Sequence, residues 1–443
     1  MSSKLDNQNI TANEEEEAFH QAMQLAMSTT LPMVLKAAID LDLLEIIAKA
    51  GPAGCKLSPI EIASHLPTKN PDASSIIDRI LRVLASHSIL TCDLATNEDG
   101  HVQRLYGLAP VAKYFLHNDD GISLIPTLTT STDKYLLGAW YHLREATLEG
   151  GATPLVKAYG MDLFELAAKN DEISGKFNNT MGNQTAIIMK KVLEIYKGFE
   201  GINQLVDVGG GLGINLKLIV SKYPQIKGIN FDLPHVVKDA PHFLGVDHVG
   251  GDMFIEVPQG EVIFMKWILH DWGDDRCLKL LKNCYNALPK FGKVVVVELV
   301  VPESPMTDIV TKNTLTLDAG LFIVVPGAKE RTKEEYEALA KKAGFSTFRL
   351  VCRAYSYWWI LHDWDDDRCL KLLKNCYNAL PKFGKVVVVE LIVPESPVTD
   401  VVTKNTLTLD ICLFNVIPGA KERTKEEYEA LARKAGFSTF KLV

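Results

Sequence analysis

The stretch Leu205-Val206-Asp207-Val208-Gly209-Gly210-Gly211-Leu212-Gly213 decides how this chain is read. An apolar run of strand length passes into four glycines within five positions, and a helical pattern follows. Glycine there lets the backbone approach a ligand closely, and the helix N-terminus offers free N–H groups to a carboxylate or phosphate. The dinucleotide pattern G-x-G-x-x-G would need Gly or Ala where Ile214 stands, so G-x-G-x-G fits a nucleoside without a pyrophosphate better. Outward from this turn, further apolar runs at Gly228–Phe231, Val262–Met265 and Val294–Val297 are separated by helical segments. That alternation predicts an α/β fold with a parallel, Rossmann-like sheet.

Ligands of such sheets bind outside the carboxyl ends of the strands. Asp232 closes one strand and could accept both ribose hydroxyls; capping the helix after Leu233-Pro234 is its alternative use. Gly250-Gly251-Asp252-Met253 offers a carboxylate to an adenine amine and a thioether to the ring face, or is merely a turn. Met265-Lys266-Trp267-Ile268-Leu269-His270-Asp271-Trp272 leaves its strand at the same edge, placing His270 where a base could act. Glu298, closing Val294–Val297, and Glu330, just before the capping box Thr332–Glu335, share that edge unless they are plain surface charges.

Ahead of the glycine turn the pattern differs. Ser58-Pro59-Ile60-Glu61 is a capping box with proline at the first helical position. A second helix follows, with Ile76, Ile77, Ile80, Leu81 and Leu84 on one face. Ile89–Thr91 and Arg104–Tyr106 then flank Asn97-Glu98-Asp99-Gly100, a hairpin turn. Helix, helix, hairpin is the order of a winged helix. Asp78 among Arg79 and Arg82 leaves no basic stripe, which favours dimerisation or a substrate lid over DNA binding. Residues 116–200 read as further helices, including Thr185–Lys197, with a linker at Gly198–Gly201.

Over 443 residues, 47% hydrophobic and 23% charged positions read as an ordinary soluble globular protein. A net charge of −8 argues against a nucleic-acid or membrane-surface binder. No run approaches about 18 apolar residues, so no transmembrane helix is expected. The start, MSSKLDNQNITANEEEEAFHQ, lacks the pattern of a signal peptide, and Glu14–Glu17 reads as a frayed acidic tail. Eight scattered cysteines without a CxxC argue against metal or disulfide use and for a reduced, cytoplasmic protein.

The chain also repeats itself. Trp267–Val351 recurs as Trp359–Val443, 92 positions later and with about ten differences, including Gly273, Gly320 and Ile323 against Asp365, Cys412 and Asn415. The second copy carries His362, Glu390 and Glu422, but it follows Ala354–Trp358 and puts Trp358 where Lys266 stood. It has no glycine turn of its own and ends before any counterpart of the expected Ala354–Trp358 strand. Residues up to about 362 are therefore expected to form the complete unit. The remainder reads as a partly folded appendage with strand edges such as Val386–Val389 unpaired.

Taken together, VDVGGG, NFDLPHV, HVGGDMF, MKWILHDW and GAKERT, in this order and spacing, resemble plant small-molecule O-methyltransferases of the caffeic acid O-methyltransferase type over roughly residues 20–362. The resemblance implies an S-adenosyl-L-methionine-dependent enzyme that methylates a hydroxyl of a small phenolic: a phenylpropanoid, flavonoid or coumarin. It implies a disordered tail (1–20), a winged-helix-like dimerisation domain (21–115), a helical linker and substrate lid (116–200), a methyltransferase domain (201–362) and a duplicated partial copy (363–443). Cofactor contacts carried over by motif are Gly209, Asp232, Asp252, Met253 and Lys266. His270 is the implied base, flanked by Glu298 and Glu330. Leu137, Leu163, Phe177, Met181, Leu317, Gly320 and Leu321 would line the substrate pocket. The family forms homodimers and needs no metal.

Ala167, Gln184 and Val325 stand where the lignin-pathway enzymes typically carry histidine or asparagine, which points away from caffeic acid itself. Two other readings compete. A nicotinamide dehydrogenase explains the glycine turn and Asp232 but neither Ile214 nor Gly251-Asp252-Met253. A non-catalytic dimerising or binding protein, inactivated by the duplicated tail, is the second.

Overall fold

The computed structural model describes residues 12–51, 54–96, 100, 102–117, 120–238, 240–351, 365–379, 393 and 421–439. Residues 1–351 make one compact unit and 352–443 another. The first unit opens with α1 (Ala12–Ala26), α2 (Thr30–Asp40), α3 (Leu43–Lys49), α4 (Pro59–Ser64) and α5 (Ala73–Ser86). The frayed tail expected through residue 20 therefore stops short, because the Ala, Glu, Gln, Met and Leu of this stretch are strong helix formers.

The Ser58–Glu61 capping box forms as expected. On α5 the buried stripe is Ile77, Leu81 and Leu84, whereas Ile76 is exposed. A helix resting on one neighbouring layer buries a narrow face, and position 76 lies off it. Strands β1 (Leu90–Thr96) and β2 (Val102–Leu108) pair antiparallel from Leu90 against Leu108 to Thr96 against Val102. Leu57 bridges to Tyr106, completing the winged-helix arrangement. Of the expected turn only Gly100 is described, in the left-handed region at φ 77°; Asn97–Asp99 lie outside the described residues.

Short helices α6 (Ile125–Ser131), α7 (Lys134–Trp140), α8 (Leu143–Glu149), α9 (Pro154–Tyr159) and α10 (Leu163–Lys169) lead into the 25-residue α11 (Asp171–Ile195). The sheet follows: β3 (Gln204–Val208), β4 (Lys227–Asp232), β5 (Val246–Gly250), β6 (Val262–Lys266) and β7 (Lys293–Val297), all parallel in the order β5-β4-β3-β6-β7. β5 is not an apolar run in sequence. It is an edge strand, and Asp247 and His248 interrupt its apolar residues. Helices α12 (Ile214–Lys222), α13 (Pro234–Val237) and α14 (Asp274–Ala287) lie between strands, and α15 (Ile309–Val324) and α16 (Lys333–Ala343) follow β7.

Gly198–Gly201 is a turn rather than a border between bodies. Ile188, Met189, Val192 and Leu193 of α11 share one core with Leu205, Leu216, Ile219 and Phe264, so that helix belongs to the sheet's own layer. The opposite face packs Val206, Ile263 and Met265 against Cys277, Leu280, Leu281 and Cys284 of α14.

In the second unit, α17 (Asp366–Ala379) and α18 (Lys425–Ala435) pack through Cys369, Leu373, Tyr428, Leu431 and Ala435. Arg423 Nη2 lies 2.9 Å from Asp366 Oδ1, as Arg331 Nη2 lies 2.8 Å from Asp274 Oδ1 in the first copy. Ala354–Trp358, His362, Val386–Val389 and Glu390 lie outside the described residues; Glu422 is described and buried.

Candidate active site

β3 feeds the glycine turn, and Gly209 N–H donates to Phe231 O at 2.8 Å, extending the β3–β4 pairing by one residue. Gly209, Gly211 and Gly213 all have positive φ, which only glycine adopts without strain. A side chain at Gly211 would meet open space, so this is the face a ligand can approach. Its N–H donates 2.8 Å to Asp232 Oδ2, and Leu233 N–H donates 2.7 Å to Oδ1. Each carboxylate oxygen keeps a lone pair for a diol, so these residues fit the ribose of S-adenosylmethionine. Burial raises the Asp232 carboxyl, and the two backbone donors oppose that shift.

β5 delivers Gly251, whose N–H donates to Asp232 O at 2.9 Å, so Asp252 begins beside Asp232. Asp252 Oδ1 accepts from Phe254 N–H at 2.8 Å. Met253 packs on the sheet core, and its carbonyl accepts from Asn283 Nδ2 at 2.9 Å. Lys266 ends β6 nearly buried, with Nζ 3.8 Å from the centre of the Trp267 ring. Burial lowers its ammonium to about 8 against the pull of Glu298 and Asp207.

Trp267 then turns the chain at φ 56°, a conformation costly for a bulky residue and found where a site demands it. The short turn Leu269–Asp271 carries His270 inward, 8% exposed. Its Nδ1 is 2.8 Å from Glu330 Oε1 and 3.6 Å from Glu298 Oε2; Nε2 is 3.6 Å from Asp271 Oδ1. A carboxylate only accepts, so Nδ1 carries the hydrogen and Nε2 holds the lone pair of the neutral ring. Burial alone would lower this imidazole, but Glu298, Glu330 and Asp271 carry it up to about 9. Burial likewise pushes Glu298 up to about 7 and Asp271 to about 6.

The two glutamates act differently. Glu330 bonds the ring, while Glu298 Oε1 accepts from Ile268 N–H (2.9 Å) and Leu269 N–H (2.7 Å), holding the turn. Sequence reasoning did not single out Arg331 or Asp318. Arg331 is fully buried and donates to Leu269 O, Trp272 O and Asp274; Asp318 accepts from Glu330 N–H at 2.7 Å. Arg331 was visible only as the R of GAKERT, where it reads as a surface charge.

His270, Glu298 and Glu330 bring ligand atoms within 4.8 Å of one another, close enough for a cation. The Oε1 atoms of both glutamates are taken by the imidazole and by two amides, whereas Oε2 of each is buried without a hydrogen-bond partner.

Of the expected pocket residues, Phe177 meets Phe164 edge-on at 6.2 Å, and Phe164 stacks on Trp272 at 5.7 Å, two residues from His270. Leu163 packs with Ala139, Leu155 and Ile323. Leu137 and Leu317 are exposed, while Met181, Gly320 and Leu321 are partly buried. Gln184 Nε2 donates to Thr127 Oγ1 at 3.1 Å, leaving its Oε1 buried without a partner.

An O-methyltransferase domain matches residues 140–346 and again 352–438, and an O-methyltransferase dimerisation domain matches 23–118. The chain belongs to the O-methyltransferase family. It is an S-adenosylmethionine-dependent O-methyltransferase. It is 56% identical to a caffeic acid 3-O-methyltransferase of Catharanthus roseus, covering 80% of this chain and 97% of that one. It is 57% identical to one of Prunus dulcis, covering 77% and 93%. Among solved structures, LaPhzM is 28% identical with a TM-score of 0.61, covering 75% of this chain and 95% of that one. Human N-acetylserotonin methyltransferase, solved with S-adenosylmethionine, shares the fold at 21% identity and TM-score 0.63, covering 75% and 93%. Neither the dehydrogenase nor the non-catalytic reading is favoured by this membership.

Proposed function

We propose that this O-methyltransferase methylates a hydroxyl of a small phenolic, with His270 Nε2 as general base. S-adenosylmethionine supplies, when bound, an electrophilic methyl group on a sulfonium and leaves as the thioether. Gly209, Asp232, Asp252, Met253 and Lys266 hold it. Leu137, Leu163, Phe177, Met181, Leu317, Gly320 and Leu321 hold the aromatic acceptor. The observation that carries this reading is the buried 2.8 Å pair of His270 and Glu330.

A free phenol has a pKa of ~10, so an unperturbed imidazole of ~6.5 would face roughly 5 kcal/mol in taking its proton. With the imidazole raised to about 9, most of that gap closes. Glu330 holds the proton on Nδ1 and stabilises the imidazolium as Nε2 takes the phenolic proton. What remains is alignment of oxygen, methyl carbon and sulfur, which positioning supplies.

The same reading makes the enzyme metal-independent, homodimeric and cytoplasmic. Exposed Phe19, Met23, Leu25 and Met27 on and beside α1 support the dimer. No single described helix is long and apolar enough to cross a membrane. Catalysis belongs to the first copy of the repeat, because Lys266 and the glycine turn adjoin it alone.

The test is methyl transfer by the purified full chain to a panel of phenolics, with and without a chelator. Transfer that survives chelation is expected; transfer to amines only, or only with added metal, would overturn the reading.

A further inference from the structure

Beneath the glycine turn lies a chain of polar groups that none of the assigned contacts uses. Asn230, on β4, is fully buried; its Nδ2 is 2.8 Å from Gly211 O and 3.0 Å from His248 Nδ1, on β5. His248 Nε2 is 3.0 Å from Pro241 O. The chemistry of the two ends fixes every proton between them. A carbonyl only accepts, so the Asn230 atom facing Gly211 O must be the amide nitrogen, and His248 Nε2 must carry the hydrogen. His248 is then the neutral Nε2–H ring, whose Nδ1 lone pair accepts the second Asn230 N–H.

These side chains press directly on the turn. A β-carbon at Gly210 would collide with Asn230 Oδ1, and one at Gly213 would lie 3.1 Å from His248 Cε1. Gly211 is thus fastened through its carbonyl by Asn230, while its N–H reaches Asp232.

We propose that Asn230 and His248 are positioning residues for cofactor binding. They lock the Gly211 backbone, and through its N–H the Asp232 carboxylate, in the geometry that receives the ribose. The inference rests on Asp232 being the ribose acceptor. His248 supplies an acceptor toward Asn230 and a donor toward Pro241, and the first is the one the cofactor feels.

The experiment compares H248N, H248Q and D232A in the full chain by calorimetric titration with S-adenosylmethionine. Asparagine can place an acceptor near Nδ1 and glutamine a donor near Nε2, so the two variants separate the functions. Expected are near-normal affinity in H248N and about five- to tenfold weaker affinity in H248Q. In H248Q the KM for the cofactor should rise while kcat at saturation holds. Histidine-selective nitrogen resonance of the cofactor-free protein should show His248 as the Nε2–H tautomer.

An Nδ1–H tautomer overturns the proposal. So does equal affinity in H248Q and wild type while D232A binds weakly, which would leave the ribose reading standing. Unchanged affinity in folded D232A would overturn both. Equal weakening of H248N and H248Q would make His248 a merely structural residue and also overturn the proposal.

Discussion

Replacing Glu330 by glutamine removes a charge from the proposed catalytic pair with His270 and little else. The amide oxygen can still accept from His270 Nδ1 across the 2.8 Å contact, and the volume is unchanged. A hydrogen bond to a charged acceptor contributes about 1.5–3 kcal/mol and a neutral one about 1, so about 1–2 kcal/mol of imidazolium stabilisation is lost. If that stabilisation is felt in the transition state, kcat falls about 5- to 30-fold. The sign of the pH effect follows from the raised imidazole. The base must be neutral, so kcat/KM climbs as pH rises toward about 9, where the ring loses its proton. Glu330→Gln lowers that imidazole and moves the climb to lower pH, whereas the phenol's own ionisation, at ~10, stays where it is. Initial rates from pH 6 to 10 on one phenolic, with saturating cofactor, measure both effects. An E330Q enzyme with wild-type rate and pH profile would refute the role of the pair.

Three further outcomes follow from the same geometry. Asp232→Ala should weaken S-adenosylmethionine by about 1–3 kcal/mol in calorimetry, the cost of leaving ribose hydroxyls without an acceptor. Arg331→Met should destabilise the first unit by about 2–4 kcal/mol in denaturant titration, because buried carbonyls at Leu269 and Trp272 lose their donor; an unchanged midpoint would show the clamp to be dispensable. Truncation after residue 362 should leave a soluble chain with methyl transfer intact, and loss of transfer in that chain would place part of the site in the second copy.

The sheet and its edge were legible in sequence because its inner strands are predominantly apolar, and glycines mark the turn after β3, where Gly209, Gly211 and Gly213 take positive φ. His270 and Glu298 could be placed for the same reason, one following and one closing an apolar run, whereas Glu330 was marked only by the capping box Thr332–Glu335 that follows it. β5 escaped because an edge strand tolerates Asp247 and His248. Asn230 hid inside the strand it belongs to, and its partnership with His248 crosses two strands 18 positions apart. The unequal roles of Glu298 and Glu330 depend on which oxygen faces which N–H, and periodicity carries no such information. Ile76 and the reach of α1 were misjudged where local pattern had to stand in for packing.

On the proposed mechanism the first copy's His270, and not its duplicate His362, takes the phenolic proton. The most direct measurement is methyl transfer by the full chain carrying His270→Ala or His362→Ala, with cofactor affinity followed in parallel. Expected are a loss of about 10²-fold or more for H270A at unchanged cofactor affinity, and no loss for H362A. Transfer abolished by H362A but retained by H270A would contradict that mechanism.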